Sequence, residues 1–259
     1  KTPRQLTNNK AGASAWRPTL HCVGCIVEGV LELYCILDED MHKDSNQNCE
    51  VISHALGLVQ QELALRGLTM PEVLALSYDN TAREGKNQHV AKYMMWLVST
   101  GKFRSVQDGA CVKGHTHNSL DQRFSIIATL LSRETTLETP EQFIQKIRQH
   151  LHPCRGRKLV VQYLKATHNW QQFFLPWEIS ISGIAAGPYQ PDVCHSKRFL
   201  LRQDLCDMEL PGWQSEKPDV FATEPEHAQD LIMCVKQFWH STSLSQPPLV
   251  VLPHSVACR

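Results

Sequence analysis

The sequence predicts an α/β fold built on a mixed sheet, and three observations predict it. Two β-type runs near the start are separated by Glu28-Gly29, which reads as an antiparallel hairpin. Farther along, helical periodicities alternate with short apolar runs, the pattern of strands joined through crossover helices. Two polar motifs stand where such runs end: Asp79-Asn80-Thr81-Ala82-Arg83-Glu84-Gly85-Lys86-Asn87, and Gly114-His115-Thr116-His117-Asn118-Ser119-Leu120-Asp121. In open α/β sheets, ligands bind outside the carboxyl ends of strands.

Residues 1–19 contain Pro3, Asn8-Asn9, Gly12 and Pro18 and show no period, so they read as an irregular lead-in. The hairpin strands are Leu20 to Ile26 and Leu31 to Leu37, followed by a polar loop from Asp38 to Asn48. Ile52, Leu56, Val59 and Leu63 fall at i, i+4, i+7 and i+11, one face of a helix that Gly67 ends. The unbroken apolar run from Val73 to Tyr78 fits a strand covered on both faces. A helix follows with Val90, Met94, Leu97 and Val98 on one stripe and Gly101 past its end. After a strand over 105–112, Leu120, Phe124, Ile127, Ala128 and Leu131 repeat at helical spacing.

Beyond Thr135, a helix spans Pro140 to Leu151 with Thr139 as N-cap and Phe143, Ile144 and Ile147 inward. Leu159 to Leu164, Ile179 to Ile184, Phe199 to Leu201 and Leu249 to Leu252 are strand-like. Glu226 to Trp239 carries Leu231, Cys234, Val235 and Phe238 at helical spacing. The stretches near 186–191 and 211–218 read as loops. The organisation expected is a lead-in over 1–19, a core over 20–135 and an extension over 136–259 packed on that core.

Composition narrows the function classes. At 259 residues the chain can bury a large core. Its 26 basic and 26 acidic residues cancel, so any nucleic-acid contact is local rather than a broad basic footprint. No stretch reaches the apolar length of a membrane span, and residues 1–20 do not resemble a secretory signal. The ten cysteines lack regular spacing and read as reduced thiols of an intracellular protein, nuclear or cytoplasmic. A start at Lys1 without Met suggests a fragment or processed product.

The order hairpin, helix, strand ending in Asp, helix, strand, helix with an acid resembles the ribonuclease-H-like nucleotidyltransferase fold, less its first strand. The motifs Asp79-Asn80 with Lys86-Asn87, and Gly114-His115-Thr116-His117 with Asp121, resemble those of a large eukaryotic family of transposase-derived domains. Lys43-Asp44-Ser45-Asn46, Trp170 and His195-Ser196-Lys197-Arg198-Phe199 are further matches. The resemblance implies a triad of carboxylates in the manner of transposases and integrases, holding two Mg²⁺ or Mn²⁺ ions for cleavage and strand transfer on DNA. Asp79 would be the second acid and Asp121 the third. Asn80, Lys86 and Asn87 would orient substrate phosphate or the first carboxylate, Arg83 would join them in binding substrate, and His115 or His117 would be a proton-transfer group or an outer-shell partner. DNA is the partner this implies, with homo-oligomerisation left open and no small-molecule cofactor. The pattern departs at the first acid, since residues 1–19 contain no Asp or Glu. The expectation is therefore a first strand upstream of Lys1 and no activity for this chain. The alternative is a non-catalytic nucleic-acid or protein interaction module.

Each motif also has a plain structural reading. Asp79-Asn80 suits a turn, because Asx side chains bond their own backbone. With Asn118 as N-cap, Asp121 stands at N3, where a carboxylate completes a capping box. His115, His117 and Cys111 are zinc-type ligands without a second close pair. Cys22 and Cys25, three apart in a strand, point to opposite faces. Trp170, Trp177, Trp213 and Trp239 read as packing residues, and Arg83, Lys86 and Lys92 as a solvated helix face.

Overall fold

A computed structural model of the chain describes residues 20–38, 40–78, 87–110, 119–132, 139–177, 196–201, 203–204, 230–236 and 246–252. The architecture is α/β, with two mixed sheets flanked by helices. The chain divides into two compact units, one formed by residues 1–43, 49–70 and 117–168, the other by 44–48, 71–116 and 169–259.

In the first unit, β1 (Leu20–Val27) and β2 (Leu31–Asp38) form the expected hairpin, with Val27 opposite Leu31. The Val30 N–H donates to the Val27 carbonyl across the turn. Gly29, at the third turn position, has φ 70°, the left-handed value that a type II turn requires there. β2 also pairs in parallel with β5 (Lys158–Tyr163), giving the order β1-β2-β5.

Being central explains the composition of β2, since Leu31 through Leu37 are all buried. On one face, Leu31, Leu33, Cys35 and Leu37 pack with Val51, Ala55, Val59 and Leu63 of α1 (Ser45–Leu65). On the other, Tyr34 and Ile36 pack with Ile127 of α3 (Ser119–Ser132) and with Phe143, Ile144 and Ile147 of α4 (Pro140–His150). Each such aliphatic side chain contributes about 1.5–3 kcal/mol when fully buried. Cys25 belongs with the first cluster and Cys22 with the second, as their odd spacing predicts.

Helix ends follow local rules. Asp44 Oδ1 accepts from the Asn46 and Gln47 backbone N–H groups at the start of α1, so this helix begins within the expected loop 38–48. At its end Leu68 N donates to Leu63 O and Gly67 N to Ala64 O, with Gly67 at φ 71°, a Schellman closure. Thr139 and Gln142 form a reciprocal capping box at α4, with Pro140 in its first turn.

In the second unit, β3 (Val73–Tyr78), α2 (Gln88–Ser99) and β4 (Ser105–Ala110) make a parallel βαβ crossover. β6 (Ser196–Leu201), β7 (Leu231–Lys236) and β8 (Gln246–Leu252) extend the sheet antiparallel in the order β3-β4-β6-β7-β8. Residues after 135 therefore supply strands to both sheets.

Two expectations are corrected here. β3 is not covered on both faces: burial alternates along it, with Val73, Ala75 and Ser77 exposed, and among the described residues it is an edge strand. The segment Leu231–Lys236 is a strand, not part of a helix, and Leu231 stands opposite Leu201 of β6. A short continuous apolar run satisfies both periods, and here the sheet wins. The expected strand 179–184 lies outside the described residues.

Candidate functional site

β3 and β4 run parallel and in register, with Tyr78 opposite Ala110 as the last pair. The chain therefore leaves both strands at the same edge of the sheet; in the sequence Asp79 follows Tyr78 directly and Gly114 comes four residues after Ala110. Asp79, Asn80, Arg83, Lys86, His115, His117 and Cys111 lie outside the described residues. Asn87 is the N-cap of α2: its side-chain oxygen accepts from His89 N at 3.0 Å and Val90 N at 3.1 Å. That bond starts the helix that returns from β3 to β4. Two residues on, His89 has a pKa held below its ordinary value by burial and then by the neighbouring Lys92.

Lys92 corrects the solvated-face reading. It is 7% exposed, and its Nζ donates to the carbonyls of Trp177 at 2.8 Å and Phe174 at 3.4 Å. Burial lowers its pKa. The carbonyls it meets follow α5 (Trp170–Phe173), a short helix inside an aromatic cluster. Trp170 stands 5.0 Å from Tyr93 and 5.7 Å from Trp96 between ring centroids, so the expected packing role of Trp170 holds.

The motif Asp44-Ser45-Asn46 acts in the same unit. Asn46 Oδ1 accepts from Gln171 N, and Ser45 Oγ accepts from Gln171 Nε2, both at 2.9 Å. With the Asp44 cap, these three residues start α1 and anchor α5 to that start.

The late Lys197-Arg198 pair lies on β6. Consecutive strand residues point to opposite faces. Lys197 Nζ meets Asp108 Oδ2 of β4 at 3.1 Å, with both side chains buried, and Arg198 Nη2 donates to Ser105 Oγ at 3.1 Å. Both bonds join β4 to β6, the strands that continue the sheet beyond the βαβ core. Sequence reading passed over Asp108 and named Lys197 only within the matching element 195–199, without a partner; an Asp inside one short strand-like run and a Lys beside another were the available signal.

Asp121 belongs to the first unit, exposed in the first turn of α3, where its charge favours the helix dipole. Its N3 capping role depends on Asn118, which lies outside the described residues. Among the described residues, no three His, Cys, Asp or Glu side chains gather closely enough to hold a metal ion. No described helix is long and apolar enough to cross a membrane.

The model of a domain family described as a domain of unknown function, DUF7869, matches residues 10–186, more than half of the chain. The match takes in the hairpin, both polar motifs and Trp170. No curated relative and no solved structure matches.

Proposed function

The chain belongs to the DUF7869 family, and from that premise we propose that it is a transposase- or integrase-derived domain of ribonuclease-H-like descent, non-catalytic as this chain stands. The carrying observation is that the adjacent parallel strands β3 and β4 end at the same sheet edge, with Asp79 next in the sequence after β3 and Gly114 four residues after β4. That edge is where open α/β sheets place their chemistry. A carboxylate at Asp79 follows the strand directly, and Asn87 fixes the start of the next helix. The ancestral activity is metal-dependent phosphodiester cleavage and strand transfer on DNA. Mg²⁺ or Mn²⁺ would supply nucleophile activation and leaving-group stabilisation to that chemistry.

The first carboxylate in the given sequence is Glu28, in the hairpin turn. Two matching acids, Asp79 and Asp121, are short of a triad. The same observation favours a second reading, an interaction module that contacts nucleic acid or protein through this edge.

Supercoiled plasmid incubated with the chain and Mn²⁺ is expected to stay uncut, while calorimetry finds weak Mn²⁺ binding that disappears in Asp79→Asn/Asp121→Asn. Nicking lost in the same double variant would establish a working enzyme. Equal ion binding by both forms would remove the acids from the proposal and leave the interaction module.

A further inference from the structure

We infer that the end of the first unit where β2 and β5 begin is a contact surface for the phosphodiester backbone of nucleic acid, with Arg155 at its tip. β3 and β4 belong to the second unit, and the inference rests on neither Asp79 nor Asp121.

The chain is neutral as a whole, but its charge is unevenly spread. Residues 142–177 hold six Lys or Arg and three His, with no Asp or Glu, and all of them are described. The middle of this stretch, His152 to Lys158, leads from α4 into β5. Folding sets it beside the hairpin turn.

Two turns of one form stand together there. In each, the fourth residue's N–H donates to the first residue's carbonyl: Val30 to Val27, and Arg157 to Cys154. Each has glycine third, Gly29 at φ 70° and Gly156 at φ 82°, as type II turns require. The strands they open pair in parallel from Leu31 and Lys158 onward. A Cβ on Gly156 would lie 3.8 Å from the Gly29 carbonyl oxygen. Arg66 ties the turns, donating from Nη1 to Gly29 O at 2.8 Å and from Nη2 to Gly156 O at 3.0 Å. The second position, at the tip, is Glu28 in one turn and Arg155 in the other.

Positive charge prevails at this end. Arg66, Arg123, Arg157 and Lys158 are shared among three carboxylates: Glu32 takes Arg123 and Arg157, Glu62 takes Arg66 and Lys158, and Glu28 takes Arg157. Arg155 is a fifth cation, exposed, and among the described residues no carboxylate pairs with it. A guanidinium held at a turn tip and left unneutralised by the fold is open to an outside anion. The exposed side chains from His152 to Lys158 include no large apolar group of the kind that anchors a bound peptide. A phosphodiester backbone needs no such anchor, since it binds by charge and by the fork of arginine donors.

Fluorescence anisotropy with a labelled mixed-sequence DNA duplex should show binding by the whole chain that weakens as salt rises. Arg155→Glu should raise the dissociation constant roughly fivefold or more and flatten the salt slope by about one, while Arg155→Lys keeps most of the binding. Glu28→Gln, which removes the exposed carboxylate of the neighbouring turn, should tighten it. Lys165→Glu makes the same charge change beyond the other end of β5 and should leave binding nearly unaltered. Arg155 shares none of the ion pairs above, so Arg155→Glu should fold, as urea unfolding can verify. No binding by the unaltered chain, or an equal loss in Arg155→Glu and Lys165→Glu, overturns the inference. So does displacement of the duplex by poly-glutamate as readily as by unlabelled duplex, which would assign the surface to an acidic protein.

Discussion

Two guanidinium nitrogens of Arg123, on α3, converge on one carboxylate oxygen of Glu32, on β2, at 2.9 Å and 2.7 Å. Glu32 has no solvent exposure, and its other oxygen accepts from Cys154 N at 3.0 Å and Arg157 Nη1 at 3.4 Å. Arg157 also reaches Glu28 in the hairpin turn. One buried charge thus ties together β2, α3, the turn before it and the loop before β5.

Removing one partner of a buried pair strands the other charge, at a cost of about 3–5 kcal/mol. Arg123→Met should therefore lower the stability of the first unit by that order in urea unfolding, while Arg123→Lys recovers part of it. A loss no larger than that of an exposed arginine would show that Glu32 is satisfied without Arg123.

The same site gives an acid-side prediction. Burial alone would raise the Glu32 pKa, but the Cys154 N–H and then Arg123 hold it below the ordinary carboxylate value. A group with a lowered folded pKa contributes stability above its unfolded pKa and loses it as pH falls through the folded one. Stability of the first unit should fall as pH drops below the ordinary glutamate range, and Glu32→Gln should flatten that fall in a pH series of urea midpoints.

On the alkaline side the buried thiols of the hairpin contribute. Burial pushes Cys22 up to about 12 and Cys25 and Cys35 up to about 11, from an ordinary value of 9.0. Raised folded values stabilise below the unfolded pKa, and that contribution is lost as pH rises through the folded values. Thermal midpoints should decline from about pH 9 upward, less steeply in Cys25→Val. An identical slope in the variant would remove the thiol from the account.

Gly24 tests the close approach of α3 to β1. A Cβ would meet Leu120 Cδ1 at 2.7 Å and Phe124 Cζ at 3.0 Å, both far ends of side chains. Gly24→Ala should cost about 1–3 kcal/mol of overpacking, and Gly24→Ala with Leu120→Val should recover part of it. Unchanged unfolding would mean that α3 yields freely.

Much of this framework was legible in the sequence, for identifiable reasons. The hairpin announced itself by runs flanking Glu28-Gly29, and α4 by Thr139-Pro140 ahead of inward Phe143, Ile144 and Ile147. Gly67 marked the end of α1 because only that φ closes the helix there. Illegible were facts set by distant chain segments. That β5 would join the hairpin in parallel depends on a pairing more than a hundred residues apart in sequence. The short run at 231–236 has no period that separates strand from helix. Lys92 looked like surface because nothing local says that the carbonyls of Phe174 and Trp177 will cover it. For the candidate site, the strand ends were legible and the partners of Asp44, Ser45 and Asn46 were not, since Gln171 comes from far along the chain.

The rings around Trp170 form a chromophore as well as a packing unit. Trp96 and Trp170 lie 5.7 Å apart at an interplanar angle of 57°, oblique enough for their transition dipoles to couple with rotational strength. Tyr93 adds a third ring at close range, and the Lys102 ammonium sits 4.6 Å over the Trp96 indole. The second unit should therefore carry its own near-ultraviolet dichroic couplet, a native optical signature that vanishes when the rings separate even while backbone helicity persists.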